Sequence, residues 1–235
     1  QGRSIHSIFI GGGTPSLMPV DEVRQLFQGL QDRLSISRDV EVTIEANPGT
    51  FEVEKFAQFR EIGINRLSIG VQSFDNKHLK LLDRIHTRDE SIEAIERAKS
   101  VGFHNLNVDL MYGLSGQTRE QSLEDIKTAI SFKPSHISLY QLTLEPNTIF
   151  AKYPPKLPKD EIIWEMGSVG ADLLEASGFN RYEISAYGKN FSQHNLNYWE
   201  FGDYIGIGAG AHGKITDTGK DAIFRTMKSK SPNDY

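Results

Sequence analysis

Two glycine-rich segments contain the residues that are best suited to hold a small ligand. The segment Gly11–Pro15 (GGGTP) directly follows an apolar run. Consecutive glycines let the backbone approach a ligand closely, and they offer it N–H and C=O groups. A tight turn between a strand and a helix is the alternative interpretation. A nucleotide P-loop is excluded because no Gly-Lys-Ser/Thr follows.

The second glycine-rich segment, Tyr204–Gly213, matches the spacing G-x-G-x-x-G at Gly208, Gly210 and Gly213. A dinucleotide site is rejected because the following KITDTGKD is a turn-rich stretch and not a helix that can bind pyrophosphate. A glycine-rich strand that passes close to a ligand is the better interpretation. For His212 within it, a ligand contact and a hydrogen bond to the backbone are equally good interpretations.

Three polar side chains stand toward the ends of successive apolar runs: Glu45, Gln72 and Asp109. If the runs are parallel strands of a barrel, their carboxyl ends surround one cleft. Carboxylate and amide oxygens there suit the ammonium and hydroxyl groups of a ligand. Taken singly, each is more often a solvated strand end or a helix cap. Arg84 is suited to clamp a ligand carboxylate, although an arginine after a helix usually lies on the surface.

A polar and aromatic cluster follows late in the chain, at Gln193, His194, Asn195, Tyr198 and Trp199. Its chemistry suits a flat ring ligand through stacking, hydrogen bonding or axial ligation. A loop pinned by aromatic burial is an equally good interpretation. No histidine pair has the spacing of a metal site such as H-E-x-x-H, so no metal ligand is predicted in this chain.

Alternating strand and helix periodicities predict the elements that position these residues. Strands are predicted at 7–11, 41–47, 66–73, 105–113 and 136–143, and helices at 20–30, 51–62, 76–82, 90–101, 120–132 and 159–176. Two further short strands, FNRYEISAYG and YIGIGAGAHG, flank the polar aromatic segment 190–203. The alternation indicates parallel βα units. Polar residues at nearly every strand end favour a partial or full barrel over a doubly wound sheet.

The composition restricts the class of partner. The 235 residues are 38% hydrophobic, enough for one core, and the net charge of −5 provides no electrostatic footprint for nucleic acid. No apolar run approaches the roughly 20 residues that span a bilayer, and the N-terminus lacks a signal-peptide pattern. The chain contains no cysteine, which excludes disulfides and thiolate zinc sites within it. A cytoplasmic protein with a small-molecule partner is predicted.

Seven ordered motifs then resemble one family, the oxygen-independent coproporphyrinogen III oxidase group of radical S-adenosylmethionine proteins. They are GGGTPS, IEANP, RLSIGVQSF, NVDLMYGLSGQT, LTLEP, HNLNYW and GIGAGAHGK, and they cover nearly the whole chain. Within that group, HNLNYW resembles the HemW-like subgroup of heme chaperones. The resemblance implies an α/β fold with a partial TIM-type barrel of six βα units, followed by a small α+β extension. Residues 1–150 would form the barrel core, and 151–235 would extend the same domain.

The resemblance also implies S-adenosylmethionine across the strand ends. Gly12, Gly13 and Thr14 would contact its methionine amino end, which Glu45 would help to hold, and Arg84 would face the carboxylate. Gln72 and Asp109 would contact the ribose. Thr143 and His212 would line the adenosyl site. Heme or substrate would contact His194, Asn195, Tyr198 and Trp199. No residue is assigned a catalytic role.

The chain departs from the family pattern in its lack of cysteine. In the family, a C-x-x-x-C-x-x-C motif before the GGGTP strand holds a [4Fe-4S] cluster. We expect that motif to precede Gln1 and a further domain to follow Tyr235, so that the chain is a fragment.

Three functions therefore remain open at this stage. The first is a heme chaperone that binds heme and S-adenosylmethionine with the cluster, and passes heme to a recipient protein. The second is a coproporphyrinogen III oxidase that catalyses oxidative decarboxylation in porphyrin biosynthesis. The third is a cluster-free barrel that binds a polar metabolite. Whether the protein is an enzyme is left open, and the fragment alone is expected to be inactive.

Overall fold

The computed structural model describes residues 2–50 and 52–235. They form two compact units, one that ends at Ser192 and one that spans Gln193–Tyr235. The predicted start of the second helix at Phe51 lies outside the described residues. The prediction that residues 151–235 extend the domain of residues 1–150 stays a prediction.

The first unit alternates strands and helices as the periodicity predicts. Its elements are β1 (Ile5–Ile10), α1 (Val20–Gln31), β2 (Ile36–Ala46), α2 (Val53–Ile62), β3 (Arg66–Gln72), α3 (Asn76–Leu81), α4 (Arg88–Ser100), β4 (Asn105–Tyr112), α5 (Arg119–Ser131), β5 (His136–Gln141), α6 (Ile149–Lys152), α7 (Asp160–Ala176), β6 (Asn180–Arg181) and β7 (Ala186–Gly188). Among the described residues, no helix is long and apolar enough to cross a bilayer.

The strands of the first unit form one curled sheet in the order β1-β2-β3-β4-β5-β7-β6. Strands β1 to β5 pair in parallel, which confirms the predicted βα units and the half-barrel. The six βα units implied by the resemblance are a wrong prediction for the described residues. After α7 the chain enters the edge strand β6 and turns back, so β7 pairs with β5 in the antiparallel direction.

Side chains on the parallel strands alternate between two faces with different chemistry. On β2 and β3, Val42, Ile44, Leu67 and Ile69 are fully buried members of one hydrophobic core that also contains helix residues such as Phe59. Burial of each such side chain contributes about 1.5–3 kcal/mol. The intervening positions carry polar side chains that bond to one another across strands. This polar face therefore lies opposite the helix-covered face of the sheet.

The helices that frame the strand ends begin at well-defined caps. The hydroxyl of Thr87 accepts from the N–H of Glu90, whose carboxylate accepts in return from the N–H of Thr87. Thr118 and Gln121 form the same capping box at α5. Each box satisfies two N–H groups that a helix start would leave without a partner. The caps fix where the loop between α3 and α4 and the loop after β4 end.

The second unit contains α8 (Gln193–Trp199) and a hairpin of β8 (His212–Asp217) and β9 (Ala222–Met227). One prediction is wrong in this unit, because the glycine-rich segment before His212 is not a strand. The segment KITDTGKD forms the end of β8 and the hairpin turn, and not a helix. Gly208 and Gly210 have φ values of +99° and +74°, which a strand does not allow. The polar aromatic segment 190–203 contains a helix.

Candidate ligand site at the strand ends

The loop after β1 forms an open glycine cradle. Gly12 and Gly13 have φ values of +85° and +61°, and a Cβ atom at either position would meet nothing within 4 Å. Gly11 differs, since a Cβ there would lie 2.8 Å from the Phe9 ring and 3.1 Å from the Glu45 carboxylate. Only glycine therefore brings this backbone so close to Glu45 while the next two residues face open space.

Glu45, near the end of β2, lies directly beside the cradle. Its Oε2 atom accepts a hydrogen bond of 3.1 Å from the N–H of Gly12. Burial raises the pKa of Glu45, the Gly12 N–H opposes that shift, and the charge of Asp109 adds to it. A carboxylate held in this environment gains stability from a cationic partner. An ammonium group in the open space next to Gly12 would supply one.

Thr14 is joined to the end of β2 through Asn47. The Asn47 amide donates a hydrogen bond of 3.0 Å to the Thr14 hydroxyl. A Cβ at Gly70 would lie 3.0 Å from Nε2 of Gln72 and 3.5 Å from Oδ1 of Asn47. The glycine at position 70 therefore makes room for both amide side chains on one face of the sheet.

Tyr140 on β5 stands at the centre of the predicted contacts. Its hydroxyl donates a hydrogen bond of 2.8 Å to Oε1 of Gln72, which is 5% exposed. Burial raises the pKa of Tyr140, the charges of Asp109 and Glu45 raise it further, and that of Arg84 lowers it. Four predicted residues from separate loops and strands therefore influence the pKa of one phenol: Glu45, Gln72, Arg84 and Asp109. Arg84 itself is exposed.

Asp109 on β4 is held by neutral donors from its own and a neighbouring strand. Its Oδ2 atom accepts from the Ser68 hydroxyl at 3.1 Å, and its Oδ1 atom accepts from the Asn107 amide at 2.8 Å. Burial raises the pKa of Asp109, and the bonds from Asn107, Ser138 and Ser68 oppose that shift. A carboxylate has about four positions that can accept a hydrogen bond, so Asp109 can still accept from a hydroxyl group of a ligand.

The polar network continues from Asn107 to a buried histidine on β5. Because the Asn107 amide nitrogen donates to Ser68, its oxygen faces His136 and accepts from Nδ1 at 2.6 Å. Nε2 of His136 then accepts from the Tyr182 hydroxyl at 2.7 Å. Burial, with the charge of Arg66, lowers the pKa of His136 to about 3. The histidine is therefore neutral at physiological pH and holds the strands together.

A buried cation completes the polar face. Arg66 on β3 is 3% exposed, and its Nε atom lies 4.0 Å from the carboxylate of Glu41, which is 7% exposed. The Thr43 hydroxyl accepts from the guanidinium at 3.5 Å. Burial lowers the pKa of Arg66, and Glu41 opposes that shift. The group stays protonated because a guanidinium does not lose its proton in proteins.

The remaining predicted residues are not gathered at Tyr140. Thr143 lies exposed in the loop after β5, and its hydroxyl donates to Glu145 at 3.0 Å. In the second unit, His212 is the first residue of β8 and is exposed. On α8, the ring of Tyr198 lies edge-on to that of His194 at 4.8 Å, Trp199 is 56% exposed, and Asn195 is half-buried. The ligand contacts predicted for these residues stay predictions.

Several residues of the site were missed in the sequence. Tyr140, Asn47, Ser68 and Asn107 all bond to predicted residues. The sequence of β5 did contain a signal for Tyr140, since His136, Ser138 and Tyr140 occupy every second position of HISLYQ. That period of two predicts a polar face on a strand. Asn47 had no comparable signal, because its partner Thr14 is 33 residues away in the chain.

Comparison with known proteins places the chain in a family. The family model of the radical SAM superfamily matches residues 1–129, which carry the glycine cradle, Glu45, Gln72 and Asp109. The chain belongs to the radical SAM superfamily. This membership confirms the resemblance drawn from the motifs.

Relatives within the superfamily are similar over the whole chain. The heme chaperone HemW of Escherichia coli is 49% identical over all of this chain and 62% of its own length. The heme chaperone HemW of Haemophilus influenzae is 48% identical with the same coverage. The chain thus spans about three fifths of these relatives. The structure of coproporphyrinogen III oxidase (HemN) from Escherichia coli covers the whole chain with a TM-score of 0.84 at 24% identity, which shows the shared fold.

The residues present fit one radical SAM cofactor and not the other. The open glycine cradle beside Glu45, together with the acceptors Gln72 and Asp109, offers groups suited to an ammonium and to hydroxyls. A [4Fe-4S] cluster is held by cysteine thiolates, and this chain contains no cysteine. Within residues 2–50 and 52–235, no group of three or more His, Asp or Glu residues is arranged to hold a metal ion.

Proposed function

We propose that this chain binds S-adenosylmethionine at the strand ends of its half-barrel. The observation that supports the proposal is that Gln72 bonds to Tyr140, that the charges of Glu45 and Asp109 act on the same phenol, and that Glu45 also accepts from Gly12 beside open space. These residues come from the loop after β1 and from β2, β3 and β4, whose carboxyl ends meet at one edge of the half-barrel. Superfamily membership points to the same ligand.

Each side chain then has a role toward one part of the ligand. Glu45 receives the ammonium, because its carboxylate is half-buried, borders the open glycine cradle and accepts one hydrogen bond from the Gly12 N–H. Asp109 and Gln72 accept from the ribose hydroxyls. Arg84 is exposed and free to fold over the carboxylate. When bound, S-adenosylmethionine supplies the radical chemistry of the superfamily, and the protein supplies orientation.

For the whole protein we propose the function of a heme chaperone. Relatives at 49% and 48% identity carry that name, and α8 presents His194 and an exposed Trp199 for a flat ring. A [4Fe-4S] cluster would be held by cysteines outside this chain. The adenosyl contacts of Thr143 and His212, the heme contacts of Asn195 and Tyr198, the cytoplasmic location and a heme-recipient protein stay predictions.

Titration calorimetry with S-adenosylmethionine tests the binding proposal. We expect Glu45→Gln to weaken binding by about tenfold or more, because the amide no longer attracts the ammonium. Glu54→Gln is the matched control, since Glu54 is exposed on α2. Its affinity should stay within about twofold of the wild type. Equal affinities for the two variants would contradict the role of Glu45.

Heme titration of the full-length protein, followed by absorption spectroscopy, tests the second proposal. We expect stoichiometric uptake that His194→Ala weakens and that His104→Ala, at an exposed histidine, leaves unchanged. Coproporphyrinogen III is then incubated with the protein under anaerobic reducing conditions. Decarboxylation with no heme uptake would contradict the chaperone and support the oxidase alternative.

A further inference from the structure

The end of β3 contains a backbone turn of a rare kind. The N–H of Ser73 donates to the carbonyl oxygen of Val71 at 2.9 Å, so the bond encloses Gln72 alone. Gln72 has a φ of +68°, which only glycine adopts without cost. An i to i+2 bond around a residue with positive φ is a strained γ-turn. Such a conformation persists only when the surrounding structure holds it.

The turn directs the side chain of Gln72 into the ligand site. The regular pairing of β3 with β4 shifts between Ile69 and Gln72, so the strand is irregular there. The amide oxygen of Gln72 reaches the hydroxyl of Tyr140 at 2.8 Å. Alternation along β3 already puts Gln72 on the polar face with Ser68 and Gly70. The turn therefore adjusts the direction and reach of this one side chain toward Tyr140 and does not choose its face.

One side of the turn is held by a histidine. Nε2 of His86 lies 3.1 Å from the carbonyl oxygen of Val71, and because a carbonyl can only accept, the ring donates. His86 is 3% exposed. A Cβ at Gly49 would lie 3.4 Å from that of His86, so the histidine packs closely against the loop after β2. The same carbonyl oxygen thus accepts two hydrogen bonds.

The other side is held by a carboxylate from a different element. Asp125 on α5 accepts from the Ser73 hydroxyl at 2.7 Å through Oδ2, and from the N–H of Phe74 at 2.7 Å through Oδ1. The Ser73 hydroxyl oxygen also accepts from the N–H of Asp75 at 3.0 Å. Three successive residues after Gln72 are therefore tied, directly or through Ser73, to one side chain that lies 52 residues beyond Ser73 and 51 beyond Phe74.

Keeping this carboxylate in place opposes folding. Asp125 is 5% exposed, and burial raises its pKa to about 6 despite its two hydrogen bonds. The negative charges of Asp75 and Glu124 add to that shift. An apolar residue at this inward position of α5 would pack in the core without the desolvation cost. The hydrogen bonds of the carboxylate to Ser73 and Phe74 therefore have a local role that outweighs the free energy lost when the carboxylate is desolvated.

We propose that Asp125 and His86 are positioning residues that clamp the strained turn and so hold Gln72 toward the ligand. Neither is expected to contact the ligand itself. This inference rests on the proposed function, in which Gln72 contacts S-adenosylmethionine. The clamp itself can be tested without that ligand, because it also predicts how the backbone of the turn exchanges with solvent.

Two measurements on the full chain test the clamp: amide hydrogen exchange of residues 71–75, and calorimetry with S-adenosylmethionine. We expect Asp125→Ala to speed exchange at Phe74 by at least about tenfold and to weaken binding by about as much as Gln72→Ala does. Asp125→Asn should restore most of both, since its amide can accept from Phe74 and donate to Ser73. Ile126→Val, a core change on the same helix, should leave both near the wild type.

Ser73→Ala provides a second route if Asp125→Ala does not fold. This change removes the hydrogen bond from the Ser73 hydroxyl to Asp125, while the N–H of Phe74 still donates to the buried carboxylate. We expect faster exchange in the turn and weaker binding for this variant as well. The clamp would be overturned if the amide of Phe74 exchanged at the wild-type rate in Asp125→Ala. If Asp125→Ala is unfolded, the same result in Ser73→Ala would overturn it. Wild-type protein that fails to bind the ligand, or Gln72→Ala with full affinity, would instead overturn the proposed function.

Discussion

Burial raises the pKa of three carboxyl groups in the first unit, but only one of them borders open space. Asp109 is surrounded by hydroxyl and amide donors, and Asp125 by Ser73 and Phe74. Glu45 accepts one backbone N–H and faces the cradle at Gly12 and Gly13. Because the three carboxyl groups have different hydrogen-bond partners, we infer that they have different roles. Asp125 organises the structure, Asp109 both joins neighbouring strands and can accept from a ligand hydroxyl, and Glu45 is suited to attract a cation.

The titration of Asp125 predicts a pH dependence of stability. Its pKa is about 6 in the folded chain and 3.8 in the reference state, so the folded chain binds this proton more tightly. Its contribution to stability is therefore greatest below about pH 4 and is lost as the pH rises through about 6. The difference between the two pKa values corresponds to about 3 kcal/mol.

We expect Asp125→Asn to be more stable than the wild type above pH 6, and this gain should shrink toward pH 4. Urea unfolding at pH 4 and pH 7.5 measures both free energies. Glu124→Gln, at the exposed neighbour, is the control and should show little of this dependence. A gain for Asp125→Asn that is the same at both pH values would contradict the raised pKa.

At the scale of elements, the inner face of the half-barrel is polar. A closed barrel of this type fills its interior with branched apolar side chains. In this chain the equivalent positions of β2 to β5 carry polar residues, of which Asn107 is the most connected. The hydrogen bonds of these residues join neighbouring strands across the sheet. The open half-barrel therefore replaces apolar packing on this face with a bonded network.

The network predicts that Asn107→Ala destabilises the first unit. The change leaves acceptors and donors on Asp109, His136 and Ser138 without their partner, at an expected cost of about 2–4 kcal/mol. The midpoint of urea unfolding measures the loss. Asn180→Ala, on the exposed edge strand β6, is the matched control. A loss below about 1 kcal/mol for Asn107→Ala would contradict the network's contribution.

Two helix glycines are expected to respond in opposite ways to alanine. At Gly29 on α1 the new Cβ would lie 3.6 Å from the Arg33 guanidinium, an ordinary contact, so helix propensity should stabilise the chain by about 0.5–1 kcal/mol. At Gly170 on α7 it would lie 2.9 Å from Ile126 and 3.0 Å from Leu139. Overpacking costs about 1–3 kcal/mol. The midpoint of thermal unfolding should be higher for Gly29→Ala than for the wild type and lower for Gly170→Ala. If Gly170→Ala were as stable as the wild type, the close packing of α7 would be contradicted.

At the scale of the whole molecule, the chain carries candidate ligand contacts and no cysteine that could hold a cluster. The residues that fit S-adenosylmethionine lie in the first unit, and the chain contains no cysteine for a [4Fe-4S] cluster. We expect the 235-residue chain, incubated with S-adenosylmethionine and dithionite under anaerobic conditions, to produce no 5′-deoxyadenosine, as chromatography can show. Calorimetric binding of S-adenosylmethionine by the same preparation is the control for an intact site. Production of 5′-deoxyadenosine would contradict the prediction.

The candidate site was predictable where strand periodicity and local motifs determine it. Glu45, Gln72 and Asp109 stand at strand ends, and the ends of parallel strands must meet, so their convergence followed from the pattern. Gly12 and Gly13 were predictable because few other residues tolerate their φ values. The second unit was predicted less well. Its glycine-rich segment has the composition of a strand but the positive φ values of turns, which sequence alone does not reveal.

Local periodicity and ordered motifs were enough to predict the parallel βα units, the family, and the places of Glu45, Gln72 and Asp109 near strand ends. The folded structure was needed to show that Tyr140 bonds to Gln72, that β7 pairs in the antiparallel direction, and that Asp125 bonds to the residues after Gln72. These facts depend on contacts between residues tens of positions apart. Such contacts are set by how the sheet curls and how the helices pack against it, and no local pattern encodes them.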